Sequence, residues 1–318
     1  MDRSEHMMDN RRSRSRELVF ATLVLALATA LAMAPDAYLP MLARAFMVQW
    51  AAALVLLALV AGLRKRWWIL FSGLFAAFLV IMQVRVPSLR PALNGSGSAL
   101  RIAQMNVLQP NLHHDEVVRC ALASEAAMIS FQEVSPEWAV ALSSALRATY
   151  PYSHIETRTN CYGIALFSRV PFLSVRTLEI EGAPFVDALV RLDERTVRVL
   201  AVHATSPTSY AEFTRRNAQF DALARNVSEA DLPTVVIGDL NTVPWDHAYE
   251  RFCRRSGMRA LDAPDLRTWP AIGPLALIPL DHALTSDHLA SAAVSTFHIP
   301  GSDHRGLLAD LQLTTLAR

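Results

Sequence analysis

The sequence predicts an α/β layered sandwich preceded by an N-terminal transmembrane helical unit, on three observations. The 318 residues are 52% hydrophobic and only 19% charged, with a mean hydropathy of +0.24; an average soluble domain carries roughly 25% charged residues. The deficit is local, since between Leu18 and Val84 only Asp36, Arg44, Arg64, Lys65 and Arg66 are charged. From Arg101 onward, short β-branched or apolar runs alternate with amphipathic segments.

Taken in order, residues 1–16 read as a basic cytoplasmic tail and residues 17–85 as three transmembrane helices. The uncharged stretches Leu18–Ala34, Ala45–Leu63 and Trp67–Val84 lack a polar face, and each approaches the length needed to cross a hydrocarbon core of about 30 Å. Arg11, Arg12, Arg14 and Arg16 precede the first, and Arg64, Lys65 and Arg66 separate the second from the third. Basic residues stay on the cytoplasmic side, so the tail and the Arg-Lys-Arg loop are expected inside and the rest of the chain outside the inner membrane. Ala32-Met33-Ala34 has the small-x-small form of a signal-peptide cleavage site, but Pro35 directly after it opposes cleavage. Residues 86–99, with two prolines and Asn94-Gly95-Ser96-Gly97-Ser98, read as a flexible linker to a domain spanning 100–318.

The charge divides at the same place. Residues 1–98 hold 11 Lys/Arg and 5 Asp/Glu, whereas residues 99–318 hold 19 and 24, so the formal +1 hides a basic anchor and an acidic domain. Of the 30 basic residues only Lys65 is lysine, which removes Schiff-base chemistry, a lysine base and a Walker-A lysine from the domain. Cys120, Cys161 and Cys253 are widely spaced and odd in number, so neither a disulfide framework nor a zinc site is indicated.

Within the domain, strands are expected at Arg101–Val107, Ala127–Val134, Gly163–Arg169, Val186–Leu192, Val197–Ala204, Thr234–Asn241, Asp281–Thr285, Ala293–His298 and Gly306–Leu313. Helices are expected at Asp115–Ser124, Pro136–Ala148, Ser209–Val227 and Asp246–Gly257. The strand ends then carry Asn106, Gln132 with Glu133, His203, and Asp239 with Asn241; Asp281 opens a later strand, and Asp303 and His304 precede the last. A sheet gathers such residues at one rim, and carboxylates, amides and imidazoles together suit a hard oxygen-ligated cation and an anionic substrate. Asp239 and Asn241, two apart on an expected extended segment, share a face. The pairs Asp281-His282, Asp287-His288 and His113-His114-Asp115 offer rival histidines. His282 alternates away from Asp281, Ser286–His288 reads as a hairpin turn and His113–Asp115 as a helix start, so none of these is expected to be catalytic.

The segments RIAQMNV, ISFQEV, YGIALFSR, AVHATSP, VVIGDLNTVPW, PLDHALTS and GSDHRGLLADL, in this order, resemble the endonuclease/exonuclease/phosphatase superfamily with its deoxyribonuclease I-like fold. The N-terminal spans with RTWPA and IPLDHAL look like its bacterial membrane-anchored branch. The resemblance implies a four-layer sandwich, two packed mixed β-sheets flanked by helices, and a phosphodiesterase using Mg²⁺, or Mn²⁺ in its place. It implies Glu133 as principal metal ligand, Asp303 pointing toward the metal, and Asn106 as a ligand-orienting or water-mediated metal contact. Leu108 stands where some relatives have another acidic residue. It further implies Asp239 and Asn241 as the water-positioning and phosphate-holding pair and His203 as a phosphate contact. His304 is implied as base or transition-state stabiliser, with Asp281 accepting from its imidazole. Tyr162 and Asn160, and the aromatics Trp245 and Trp269, are candidates for the site lining. The acidic domain and its anchor favour a phospholipid head group or small phosphodiester over bulk nucleic acid, which demands a basic groove. A nuclease, or a silent module that binds a phosphorylated ligand, stands as the alternative.

Overall fold

A computed structural model describes residues 3–84, 99–261, 266–273 and 275–314. The chain divides into two compact units, Met1–Arg85 and Val86–Arg318. The expected linker lies outside the described residues except for Ala99, which already begins a strand.

The first unit holds α1 (Arg3–Met33), α2 (Tyr38–Ala45), α3 (Met47–Leu63) and α4 (Trp67–Ile81). The Arg11–Met33 part of α1 is long and apolar enough to cross a membrane, and α2 and α3 form a pair bent by 66°. The second and third expected spans are therefore shorter as helices than as apolar runs. α4 has 15 residues, about 22 Å at 1.5 Å per residue, because Met82 and Gln83 leave the helix in a turn. Among the described residues, one helix is long and apolar enough to cross a membrane, or two if the bent pair counts as one span. α4 packs against both α1 and α3. Small residues permit that approach: a Cβ on Gly73 would lie 3.1 Å from Ala58 Cβ and 3.3 Å from the Leu54 carbonyl. Between α1 and α2 the buried Arg44 donates from Nη2 to the carbonyls of Ala34 (2.6 Å) and Leu31 (3.5 Å) at the end of α1.

The second unit runs β1 (Ala99–Asn106), α5 (His114–Ala123), β2 (Met128–Gln132), α6 (Pro136–Leu146), β3 (Tyr152–Glu156), β4 (Ile164–Ser168), β5 (Phe172–Ile180) and β6 (Ala183–Leu192). It continues with β7 (Arg195–His203), α7 (Tyr210–Ser228), β8 (Thr234–Asp239), α8 (His247–Ser256), β9 (Arg259–Ala260), β10 (Asp281–Thr285), β11 (Leu289–His298) and β12 (Arg305–Leu313). Capping residues set the helix starts: Ser135 accepts from Trp138 N ahead of Pro136, Ser209 from Glu212 N and Asp246 from Ala248 N.

Two six-stranded mixed sheets result, in the orders β11-β12-β1-β2-β4-β3 and β5-β6-β7-β8-β10-β9. One core lies between them, where Ile102, Met128, Ile164 and Leu166 of the first sheet meet Val186, Ala188, Val199, Val235 and Ile237 of the second. α5 and α6 cover the outer face of the first with Val117, Trp138, Leu142 and Leu146 on Ala103, Met105, Ile129 and Phe131. α7 and α8 cover the second with Phe220, Leu223 and Phe252 on Leu200, Val202 and Val236. This is the four-layer α/β sandwich. β3, β5 and β9, which the expected strands do not include, sit at sheet edges; β3 and β5 are half-buried or exposed along their length and β9 has only 2 residues, so none carries the apolar run that marks a buried strand.

Candidate active site

The alternation that builds the inter-sheet core also builds the site. Ile102, Gln104 and Asn106 point to one face of β1, Met128, Ser130 and Gln132 to one face of β2, and Ile237 and Asp239 to one face of β8. Each strand enters the core apolar and leaves it polar at its carboxyl end. Register then aligns the ends: Asn106 pairs with Gln132, His203 with Asp239, and Asp239 with Asp281 across the antiparallel β8–β10 ladder.

Asp239 is the hub. Its Oδ2 accepts from Asn106 Nδ2 at 3.0 Å and lies 3.7 Å from the Nε2 atoms of both His203 and His304. Its Oδ1 accepts from Asn241 N at 2.8 Å. That last bond corrects the expected extension of β8: the strand stops at Asp239, and Asn241 adopts φ +49° because the Asp239 side chain captures its N–H in a turn. Asn241 is therefore not on the Asp239 face by strand alternation, and its Nδ2 donates to the Ala204 carbonyl.

Asn106 bridges two carboxylates, since Nδ2 also donates to Glu133 Oε1 at 3.1 Å while Oδ1 accepts from Leu108 N. Glu133, at φ +64°, takes a second donor, Gln109 N, on Oε2 at 2.9 Å. Gly163 makes this turn possible, because a Cβ there would fall 1.9 Å from the Val134 carbonyl oxygen. Asp303 accepts from Trp269 Nε1 on Oδ2 at 2.9 Å, and its buried Oδ1 has no protein partner.

His304 Nδ1 meets Asp281 Oδ2 at 2.8 Å. Burial by itself disfavours the imidazolium, but the Asp281 and Asp239 carboxylates and the Asp281 hydrogen bond outweigh it and push His304 up to about 10. Burial, then the repulsion of Asp281, raises Asp239 above the ordinary carboxyl range. Burial and His304 pull His203 down to about 4, leaving a neutral ring whose Nδ1 has no protein partner. The Tyr162 ring lies tilted against His203, 5.7 Å between centroids, and burial raises its hydroxyl to about 12. Cys161 is free, and burial followed by the Glu133 charge raises its thiol, away from the nucleophilic thiolate.

The rival histidines are engaged elsewhere. His282 is buried on the opposite face of β10, with Nε2 on the Thr242 carbonyl at 2.7 Å, and His114 packs on Trp138. Trp245 is buried. Residues the sequence reading passed over include Gln104, Gln109, Thr268 and the α7 pair Arg216 and Gln219. Gln219 accepts from Thr205 N, and Arg216 donates to the Asn241 carbonyl. A polar pair, Gln104 and Asn106, on the otherwise apolar face of β1 was the available signal.

A divalent cation fits this donor set. Glu133 has spare lone pairs, Asp303 Oδ1 lacks a partner, and all are oxygen donors of the kind hard cations take. Asp239, Asp281 and His304 also offer ligand atoms within 4.8 Å of one another. There, however, both Asp281 oxygens are already committed, to Gln104 and to His304.

Residues 95–304 match the model of the endonuclease/exonuclease/phosphatase family. The chain belongs to that family. Its members are metal-dependent phosphoesterases and nucleases, hydrolases acting on phosphoester bonds. No curated protein matches the chain in sequence. Among solved structures, TDP2 of Danio rerio in complex with a single-strand DNA product is 15% identical, covering 68% of this chain and 99% of its own, with a TM-score of 0.58. Sphingomyelinase C from Streptomyces griseocarneus is 16% identical over 67% of this chain and 99% of its own, TM-score 0.52. The human Nocturnin catalytic domain with bound sulfate is 19% identical over 68% and 95%, TM-score 0.53. At these identities the likeness speaks for the fold.

Proposed function

We propose that this chain is a membrane-anchored, Mg²⁺-dependent phosphodiesterase that cleaves a P–O bond by in-line attack of water. The convergence on Asp239 carries the reading: one buried carboxylate faces two imidazoles, an amide that also holds Glu133, and a turn that delivers Asn241. Glu133 and Asp303 would hold the cation, with Asn106 orienting Glu133 or contacting the cation through water. Mg²⁺, or Mn²⁺ in its place, supplies charge neutralisation for the substrate and the leaving oxygen.

Asp239 positions and deprotonates the attacking water. Asn241 presents a neutral amide to a phosphate oxygen where a further carboxylate would repel it. His304, fixed through Nδ1 by Asp281, turns Nε2 inward as a cation that stabilises the pentacovalent phosphorus. His203 contacts the phosphate as a neutral ring. No serine or cysteine nucleophile stands among these groups, and the raised Cys161 thiol does not serve as one, so no covalent intermediate forms.

The substrate is a phospholipid head group or small phosphodiester. Residues 99–318 carry 24 acidic against 19 basic groups, opposite to the surface that long nucleic acid requires. We infer the periplasmic side of the inner membrane from the basic residues that flank the apolar runs Leu18–Ala34, Ala45–Leu63 and Trp67–Val84, since one crossing or three gives the same side. The test is hydrolysis of bis-p-nitrophenyl phosphate, plasmid DNA and phospholipid vesicles in parallel, with Glu133→Ala and His304→Ala as controls. Equal turnover by wild type and both variants defeats the enzymatic reading, and turnover confined to DNA favours the nuclease. An alkaline phosphatase fusion after Ser98 that is inactive refutes the periplasmic placement.

A further inference from the structure

Gln104 lies on β1 of one sheet and Asp281 on β10 of the other, and both are buried between them. Gln104 Nε2 donates to Asp281 Oδ1 at 2.6 Å and to Gln132 Oε1 at 2.8 Å. Gln132 Nε2 in turn donates to Ser130 Oγ at 2.6 Å. Both Gln104 and Gln132 are 0% exposed, as is Ser130.

A core built for stability would continue the apolar face of Ile102 and Met128. Buried amides cost free energy unless every group is paired, and Gln104 Oε1 has no partner. The polar chain is therefore retained against a cost, and it ends on Asp281. Its direction is fixed: rotating the Gln104 amide would set its oxygen against two acceptors, Asp281 Oδ1 and Gln132 Oε1. With Oδ1 held by Gln104, Oδ2 by His304 Nδ1 and the backbone N–H by Thr268 Oγ1, the Asp281 carboxylate cannot rotate.

We propose that Gln104 is a positioning residue for the Asp281–His304 pair, its amide occupying one carboxylate oxygen so that the other addresses the imidazole in a single orientation. The proposal rests on the phosphodiesterase reading and adds a residue to it. Gln104 touches neither substrate nor cation; it acts through Asp281.

The full-length protein in detergent tests it with Gln104→Met, which keeps length and removes the donor, and with Gln104→Asn, shorter by one methylene, should the first fail to fold. The expected loss in kcat on bis-p-nitrophenyl phosphate is about tenfold, with KM unchanged. In an Asp281→Asn background the same substitution should have no further effect. Without metal or substrate, the downfield proton resonance of His304 Nδ1–H in ¹⁵N-histidine-labelled protein should shift upfield in the Gln104 variants. An unaltered resonance, or a kcat loss that adds in full to that of Asp281→Asn, overturns the proposal. If the wild type hydrolyses none of the three substrates with Mg²⁺ or Mn²⁺, the functional reading falls, and the resonance alone decides whether Gln104 governs the pair.

Discussion

His304 Nδ1 and Asp281 Oδ2 lie 2.8 Å apart, with side chains 6% and 0% exposed, so the bond is shielded from water and from salt. The pair makes its own pH signature. Because His304 is raised to about 10 from an ordinary 6.5, its stabilising contribution is complete below pH 6.5 and lost as the pH rises through 10. Metal-free wild type should therefore lose thermal stability over that window. Asp281→Asn should flatten the loss and lower kcat by about 100-fold; an identical pH profile of Tm in the two proteins contradicts the pairing.

Chelation should abolish hydrolysis, and readdition of Mg²⁺ or Mn²⁺ should restore it. Glu133→Gln keeps the length of the side chain but removes its charge and one of the two acceptor oxygens that Asn106 Nδ2 and Gln109 N use. Calorimetric titration of the variant with Mn²⁺ should show at least about tenfold weaker binding, whereas an undiminished affinity moves the cation to the Asp239, Asp281 and His304 group.

Gly163→Ala sets a Cβ against the Val134 carbonyl, 1.9 Å away in the present backbone. The turn bearing Glu133 must shift, and the expected result is weaker Mn²⁺ binding together with a lower Tm. Unchanged binding and stability show that the turn has slack.

Asp187 bonds both Arg198 and Arg176. Burial alone would raise its carboxyl, but the two guanidinium groups outweigh burial and hold it below the ordinary value. Its contribution is present above that ordinary value and disappears as the pH falls through the depressed one. Arg198 is five residues up β7 from His203, about 16 Å along the strand. Asp187→Asn should therefore cost about 3 kcal/mol at pH 7 by urea unfolding, less in acid, with kcat unchanged at 25 °C. A drop in kcat with stability intact contradicts this division of labour.

Arg216 is fully buried, with its guanidinium between Asp246, the cap of α8, and the Asn241 carbonyl. Arg216→Met strands the Asp246 carboxylate and should cost about 3 kcal/mol. It also frees the Asn241 turn, so KM should rise even where the variant is fully folded. An unchanged KM in folded protein places Arg216 outside substrate binding.

Most of the layer architecture was legible because its signals are local. Short apolar or β-branched runs on β1, β2 and β8 mark strands buried on both faces whichever partners they take, and the Ser135-Pro136 and Asp246 caps mark helix starts. β3 and β5 leave no apolar run because their side chains are half-buried or exposed along their length, and β9 is only 2 residues long. Asn241 was placed on the wrong geometric footing, since a carboxylate that captures its own chain's N–H is a matter of side-chain conformation and not of period.

The amino-acid sequence by itself determined which chemical groups stand at strand ends and that a basic, apolar N-terminal segment precedes an acidic domain, since both depend on composition and short-range periodicity. Only the tertiary structure decided who meets whom. Packing one sheet on the other brought Gln104 to Asp281 across 177 positions and Asn106 to Asp239 across 133. A strand's pattern shows which face a side chain takes, and only sheet-on-sheet register shows what faces it.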